Sequence, residues 1–541
     1  MSDSNPEDGA RTFKPGGRYA HYVLVVLVIV YVFNFIDRNI LSILTEDIKA
    51  DLGVTDAQMG FLYGTVFAVF YAVFGIPLAR FADVWVRRSL ISIGLLFWSA
   101  MTALSGFARS FPMLAGFRIG VGIGEASASP AAYSMLSDYY PPKLRATVLA
   151  IYSSGVYIGG GIGLFLGGFI LETWNGSYPD PSQAPLGLKG WQAAFMAVGI
   201  PGILMALWVR SLREPRRGAS EGLISEAHPA PLKLLVTELG AMMPVFNLFG
   251  LYRAGGSLLV NGLGALGIAC VAVALIYATG STAQWIALGG GAYVTFSWVQ
   301  SLAKRDPATF AMIFRSRAMI YTMLAFPTIS FVTYGVGFWT APLLLRLHDT
   351  DPSQVGMYIG LGSAIGGLIG VTLGGVLADR LKQTNPAGRL VIGYIAVFGT
   401  APLVLLMIYT DNLMWAFALN FLYHIPSACW PGIPPTTAAD LVMPRMRAVA
   451  GAFYILLNTF IGLAIGPYAM GQLSDYYAAS GMQSADSLRL AIASAMLIFL
   501  VTLVLLTLAW RHLPRDEASR LSRAKALGES IQQEPADAAH K

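Results

Sequence analysis

Apolar stretches about as long as a bilayer-crossing helix follow one another along nearly the whole chain, separated by short loops that carry most of the charge. A hydrocarbon core about 30 Å thick needs roughly 20 apolar residues per helix. With boundaries good to roughly a few residues, twelve segments meet that length, at about 20–44, 57–79, 88–108, 112–138, 144–171, 190–211, 317–345, 354–378, 389–410, 412–438, 446–471 and 488–511. Two further stretches, near about 256–279 and 283–302, lie between the sixth and seventh and are joined by the short turn GSTA. They read as an inserted transmembrane hairpin. The alternative for the second, rich in Gly and Thr, is a helix lying in the membrane interface.

Composition agrees with a bilayer. Only 12% of residues are charged, against about 25% in soluble domains, and 55% are apolar. Cys270 and Cys429 both sit inside apolar runs, which excludes a disulfide framework and a cysteine metal site. The polar start, MSDSNPEDGARTFKPGG, has no cleavable-signal pattern, so the first apolar segment is expected to remain as a helix.

Lys and Arg fix an expected orientation. With the N-terminus inside, the cytoplasmic segments hold most of the 36 basic residues. The outside loops keep Lys49, Arg109, Lys189, Arg346 and Arg489. An even number of spans puts both termini in the cytoplasm, and a plasma membrane (an inner membrane in a bacterium) is the expected location. The net charge of +6 is then a matter of topology, and no nucleic-acid partner is implied. The expected divisions are a cytoplasmic segment at about 1–19, a six-helix bundle at about 20–211, a cytoplasmic linker at about 212–316 holding the hairpin at about 256–302, a second bundle at about 317–511 and a cytoplasmic tail at about 512–541. The linker stretch PLKLLVTELGAMMPVFNLFGLYR reads as an amphipathic helix on the inner leaflet, and the tail from Arg511 as charged, helix-permissive and poorly ordered.

Two loop motifs occur twice. Asp83-Val-Trp-Val-Arg87-Arg88 follows the second segment, and Asp379-Arg380 follows the eighth. Asp138-Tyr-Tyr-Pro-Pro-Lys-Leu-Arg145 follows the fourth, and Asp440-Leu-Val-Met-Pro-Arg-Met-Arg447 the tenth, with Asp, Pro and Arg in the same spacing. Parallel duplication about an axis along the membrane normal accounts for both, with a substrate path between the halves. At helix ends these carboxylates can cap a helix or pair with Arg and latch the cytoplasmic ends.

These loop motifs, with Arg118-Ile-Gly-Val-Gly-Ile-Gly-Glu125-Ala126, resemble the major facilitator superfamily. Asn34-Phe-Ile-Asp37-Arg38 and the run from Arg118 to Glu125 resemble its Spinster-like lipid transporters. The resemblance implies an all-α integral membrane protein of two six-helix bundles, to which the inserted hairpin is an addition. It also implies transport of lysophospholipid or sphingolipid-like molecules. Ala79, Val84 and Val86 depart from the family's first loop motif, and the glycine-rich fifth segment lacks the proline of the antiporter signature.

Charges at membrane depth cost roughly 3 kcal/mol each on insertion scales. The deep ones are Asp37, Arg38, Arg118 and Glu125, all in the first half and summing to zero. Arg118 and Glu125 share a helix face about 10 Å apart, while Asp37 and Arg38 diverge by about 100°. Asp37 and Arg118 come out at similar depth, so an Asp37–Arg118 pair is expected, with Glu125 facing the cavity and Arg38 leaning toward either carboxylate. A carboxylate that loses its cation in a dry cavity can take up a proton near neutral pH, which makes Glu125 and Asp37 the candidate proton-coupling groups. The competing readings are a static, satisfied network and head-group binding by Arg38 or Arg118, since guanidinium suits phosphate. A sodium site of Asp37, Asn34 and Ser42 is a weaker alternative.

The second half offers aromatics instead: Phe331, Tyr334, Phe338, Trp339, Tyr423 and Trp430. Such rings are packing, lipid-facing or a cavity wall. Asn34, Tyr334, Phe338, Trp339 and His424 are taken as candidate cavity residues, with His424 alternatively bonded to a freed carbonyl of a proline-broken helix. A monomeric, proton-coupled transporter of an amphipathic molecule is the leading expectation. A transporter of a small organic anion or drug and a non-transporting sensor are the alternatives. An enzyme lacks its parts: there is no metal cluster, nucleophile motif or phosphate loop, and no cofactor is expected.

Overall fold

Within a bilayer each backbone N–H and C=O must be satisfied inside its own segment, and the apolar stretches meet that demand as helices. The computed structural model describes residues 16–217, 220, 229–242, 244–253 and 255–529. The expected cytoplasmic segment before residue 16, the linker positions 218–219 and 221–228, and the tail from 530 lie outside them. Every regular element among the described residues is helical.

Span one is Arg18–Ile43, span two Asp56–Val84, span three Arg87–Ser105, span five Lys143–Ser177 and span six Gly190–Arg210. Spans seven, eight, nine, eleven and twelve are Arg317–Leu347, Pro352–Thr384, Gly388–Tyr409, Pro444–Ala479 and Ser484–Ala518. With Leu258–Thr279 these are the 11 helices among the described residues long and apolar enough to cross a membrane. Spans four and ten are each two pieces, Phe111–Glu125 with Ala128–Tyr139, and Leu413–Ser427 with Ile433–Leu441. Pro426, Pro431, Pro434 and Pro435 account for the second break, because a proline ring removes a donor and clashes with the preceding turn.

Two seams join the halves. In one, span five lies along span eight, and a Cβ on Gly161 would come within 2.5 Å of the Gly360 carbonyl oxygen, or one on Gly360 within 2.4 Å of that of Gly161. Only glycine permits that approach. In the other, span two meets span eleven, where Thr65 Oγ1 donates to the Ala464 carbonyl at 2.8 Å. The helix bearing that carbonyl widens to a π-helical stretch at Asn458–Ile465.

Between the halves, Pro231–Met242 packs against span two, and Pro244–Arg253 follows it. Leu258–Thr279 and Thr282–Arg305 then pack on each other, the second also touching span two, with Gly291 against the Phe460 ring of span eleven. The described part of the tail, up to residue 529, takes the helix its composition permits and is ordered rather than loose. Span twelve runs on to Ala518, and Arg520–Ala526 is a helix with Ala524 buried, Arg520 donating to the Asp440 carbonyl and Arg523 to that of Leu441. Its basic side chains find carbonyls left over at the end of span ten, which its charge content alone did not reveal.

Candidate functional site

Span four is built to hold a carboxylate in the protein interior. Its glycines let neighbours come close: a Cβ on Gly122 would meet the Phe67 carbonyl oxygen at 2.8 Å, and one on Gly124 the Trp98 Cβ at 2.8 Å. The helix pauses directly after Glu125, where Ser127 Oγ bonds back to the Gly124 carbonyl at 2.8 Å. Glu125 is fully buried there, and its Oε2 accepts from Arg38 Nε of span one at 2.6 Å. Arg38 keeps 14% of its side chain exposed. Its guanidinium lies 4.2 Å from the Phe67 ring centroid and 4.9 Å from those of Phe35 and Tyr71, a cation–π cage around the charge.

The expected Asp37–Arg118 ion pair is not formed. Arg118 NH1 instead donates to the Asp37 backbone carbonyl at 3.0 Å, and the Asp37 carboxylate turns toward Trp98 and Thr102 of span three. Asp37 Oδ1, Glu125 Oε1, the remaining Arg118 nitrogens and Asn34 Oδ1 are buried without hydrogen-bond partners. Each such atom costs about 1–3 kcal/mol where it stays unpaired. The tetrad is gathered in one half, with one strong pair and spare acceptors. Ser42, a member of the sodium alternative, is committed elsewhere, donating to the Phe338 carbonyl at 2.5 Å.

The candidate cavity residues divide. Tyr334 lies near Arg38 across the gap between halves. His424 Nδ1 pairs with the Asn420 carbonyl at 2.8 Å and its Nε2 with Tyr423 Oη at 3.3 Å, so both ring nitrogens are engaged within its own helix, whereas the carbonyl that Pro426 deprives of its donor is that of Leu422, four residues before it. Phe338 and Trp339 are wholly buried in packing: Phe338 stacks on Tyr63 with centroids 4.4 Å apart, and Trp339 Nε1 donates to the Pro467 carbonyl at 2.8 Å. Phe338 thus packs across the halves, while Trp339 ties span seven to span eleven within the second half.

At the face carrying the repeated loop motifs, here the basic face, each half has the same ion pair. In the first, Arg87 is wholly buried and binds Asp138 at 2.5 Å and Glu214 at 2.8 Å. In the second, Arg389 binds Asp440 at 2.7 Å and Asp379 at 3.2 Å, and Lys382 bridges Asp440 and Glu517. Arg88 donates to the Leu212 carbonyl. Arg145 donates to Ser137 O and Arg447 to Ala439 O, each eight residues back. Asp83 and Arg380 have no hydrogen-bonded partner among the described residues. Glu214, Arg389, Lys382 and Glu517 were not anticipated. Arg389 was findable, because it follows Arg87 by the same interval that separates Asp138 from Asp440. A longer loop after span eight drew attention to Arg380 instead.

The opposite, far face holds charges that link the halves. Arg346 at the end of span seven grips Asp56 of span two with both amino groups, at 2.8 and 2.7 Å, and Glu46 at 2.7 Å. Lys49 joins Asp56, Ser474 Oγ donates to it at 2.6 Å, and Asp475 of span eleven accepts from the Asp56 and Ala57 amides. These residues sit in loops and helix ends, where sequence reading found only topology.

Residues 27–467 match a family model described as Major Facilitator Superfamily. An MFS-type efflux pump of Mycolicibacterium smegmatis is 26% identical over 85% of this chain and 86% of its own length. Protein spinster of Drosophila melanogaster is 24% identical over 85% of this chain and 62% of its own length. Among solved structures, a bacterial homologue of the human lysosomal transporter Spinster, inward-facing and unoccupied, superposes with a TM-score of 0.69 at 25% identity, covering 92% of this chain and 98% of that one.

Proposed function

The chain belongs to the Major Facilitator Superfamily as a Spinster-like secondary transporter, and from that premise we propose that it moves an amphipathic lipid, lysophospholipid or sphingolipid-like, by proton-coupled alternating access. The observation that carries the coupling is the Arg38–Glu125 pair. Protonating Glu125 removes the charge that holds Arg38. A guanidinium freed inside its aromatic cage is then available to a phosphate head group, which it can meet with two parallel hydrogen bonds. Asp37, buried one residue away with an unpaired oxygen, is the second proton site and communicates with Arg118 through its own backbone. The rings around Arg38, with Tyr334 opposite, suit the apolar part of the same molecule.

In this reading the basic face is cytoplasmic, following the positive-inside rule. Leu258–Thr279 and Thr282–Arg305 cross the bilayer as a hairpin, both termini are inside a plasma membrane, and the protein works as a monomer. Arg346 and Asp56 then close the outer end, and the Arg87 and Arg389 clusters tie helix ends within each half at the inner one. Opening outward must break the first set.

The test is substrate-driven proton flux in proteoliposomes loaded with lysophospholipid, comparing the native protein with Glu125→Gln. The variant should still bind lipid but move fewer protons per substrate, with Asp37 alone remaining, and show an altered pH dependence of transport. Unchanged coupling in the variant would remove Glu125 from the mechanism. A second reading, export of a drug-like amphiphile, draws on the efflux-pump relative. Thermal stabilisation by a panel of lysolipids and drugs separates the two.

A further inference from the structure

A cavity of about 370 Å³ opens at the far face where three bodies meet: span two with the start of span four, span eleven, and the turn between Leu258–Thr279 and Thr282–Arg305. It is remote in sequence and depth from the Arg38–Glu125 pair. The turn is tied to span eleven by Ser281 Oγ donating to Gln472 Oε1 at 3.0 Å and Gln472 Nε2 donating to the Thr279 carbonyl at 3.3 Å. Tyr468 Oη donates to the same Gln472 oxygen at 3.1 Å. At the wall stands Gln284, 1% exposed, with neither its Nε2 nor its Oε1 hydrogen-bonded. A buried amide with both ends open is a site for a partner that donates and accepts together.

The rest of the lining defines the partner. No Lys or Arg lines the cavity, so it offers nothing to a phosphate or carboxylate, and its one carboxylate, Asp475, already accepts from two backbone amides. What remains beside Gln284 is the Thr282 hydroxyl, the Gln58 Nε2 (its Oε1 accepts from the Thr55 amide) and the acceptor side of the Ser281 hydroxyl, on a lining shared with the rings of Phe61 and Phe111. Amides and hydroxyls beside aromatic rings match a ring with hydroxyls at its rim and C–H groups on its face. We propose that this cavity binds a neutral polyhydroxylated ring, a pyranose, either as a free sugar or as the head group of a glycolipid in the facing leaflet. A ring seated there touches both halves and the inserted helices at once, beside the Arg346–Asp56 contact. It therefore favours the state in which the far face is closed, whatever the central cargo is.

The full-length protein, in a zwitterionic detergent with no sugar head group, is titrated with methyl glucoside, with octyl glucoside below its micelle concentration, and with inorganic phosphate. A glucoside should raise the unfolding midpoint of the native protein by several degrees. That shift should vanish in Gln284→Leu, shrink in Phe111→Ala and persist in Glu125→Gln, which separates this site from the central one. Phosphate should do nothing. A response to methyl glucoside identifies free sugar as sufficient, and a response to octyl glucoside alone identifies the glycolipid. No shift with either glucoside overturns the proposal, as does an equal shift in Phe111→Ala and any folded Gln284 variant, or an equal response to phosphate.

Discussion

The two halves share hardware at the basic face and differ in the interior. Counting the interval from Asp138 to Asp440, Arg87 falls on Arg389, Arg118 on Asn420 and Glu125 on Ser427. Both helices stop at the same register, after Glu125 and after Ser427. The second half thus keeps the break and replaces the charges: Asn420 donates to the Ile359 carbonyl at 3.3 Å where its counterpart is a buried arginine. One scaffold appears twice, and among the described residues the buried acid–base pair lies in the first half, where the second keeps neutral or singly titratable groups such as Asn420, Ser427 and His424. The halves also differ in how deeply the shared ion pair is set. Arg87 is fully buried, whereas Arg389 and Asp440 keep 19% and 33% of their side chains exposed.

The interior difference predicts the largest effect. Arg38→Ala takes the cation from a fully buried carboxylate, which must then hold an unpaired charge or take up a proton, and should destabilise the protein by up to about 3–5 kcal/mol, least at low pH. Glu125→Gln, which also removes the charge, should cost less, and adding it to Arg38→Ala should recover part of the loss. Chemical unfolding in detergent reads all three. Equal, additive losses would mean that the pair is not the unit. Ser427→Ala, at the matching place in the other half, should change little.

Next come the matched basic-face pairs. Arg87→Ala should cost about 3 kcal/mol because Asp138 and Glu214 lose a buried partner. Arg389→Ala should cost about 1 kcal/mol or less, since partly exposed pairs are screened and Lys382 remains beside Asp440. Equal costs would mean that the duplicated pair does the same work in both halves. Arg346→Gln is expected to be intermediate on stability, about 1.5–3 kcal/mol for charge-assisted hydrogen bonds lost between halves. Its sharper readout is labelling of a cysteine placed beside Asp56, which should become several-fold faster as the far face opens.

The sequence disclosed the spans, the duplication and the four deep charges, because each is written in residue type and spacing. It did not disclose pairing. Asp37 and Arg118 do lie at a common level, but Arg118 takes the Asp37 carbonyl, and backbone acceptors leave no mark in a sequence. Phe338 and Trp339 have the spacing of a cavity wall, yet Phe338 packs on Tyr63 across the halves and Trp339 bonds to Pro467 within its own half, since periodicity fixes a helix face without saying what the face meets. Arg346 was read only as an outside charge. Its partners Glu46 and Asp56 are about 300 residues away, and no local pattern joins them.

The smallest effect concerns a contact made, among the described residues, in the second half. Arg445 binds Asp306, which follows the inserted helices, and Glu529 of the tail, with about half of its own side chain exposed. Its hydrogen bonds hold the Asp306 carboxyl down at about 2, below the ordinary aspartate value of about 3.9. A depressed carboxyl contributes stability that is present above its unfolded value and is lost as pH falls toward the folded one. The native protein should therefore lose this contribution between about pH 4 and pH 2, and Arg445→Ala should show a shallower decline over that window. The difference at neutral pH should be about 1 kcal/mol or less. Among the described residues Lys143, at the position corresponding to Arg445, makes no ion pair, so Lys143→Ala should leave the same acid limb unchanged. A parallel change in both variants would show that the acid limb reports charge at the basic face in general and not this contact.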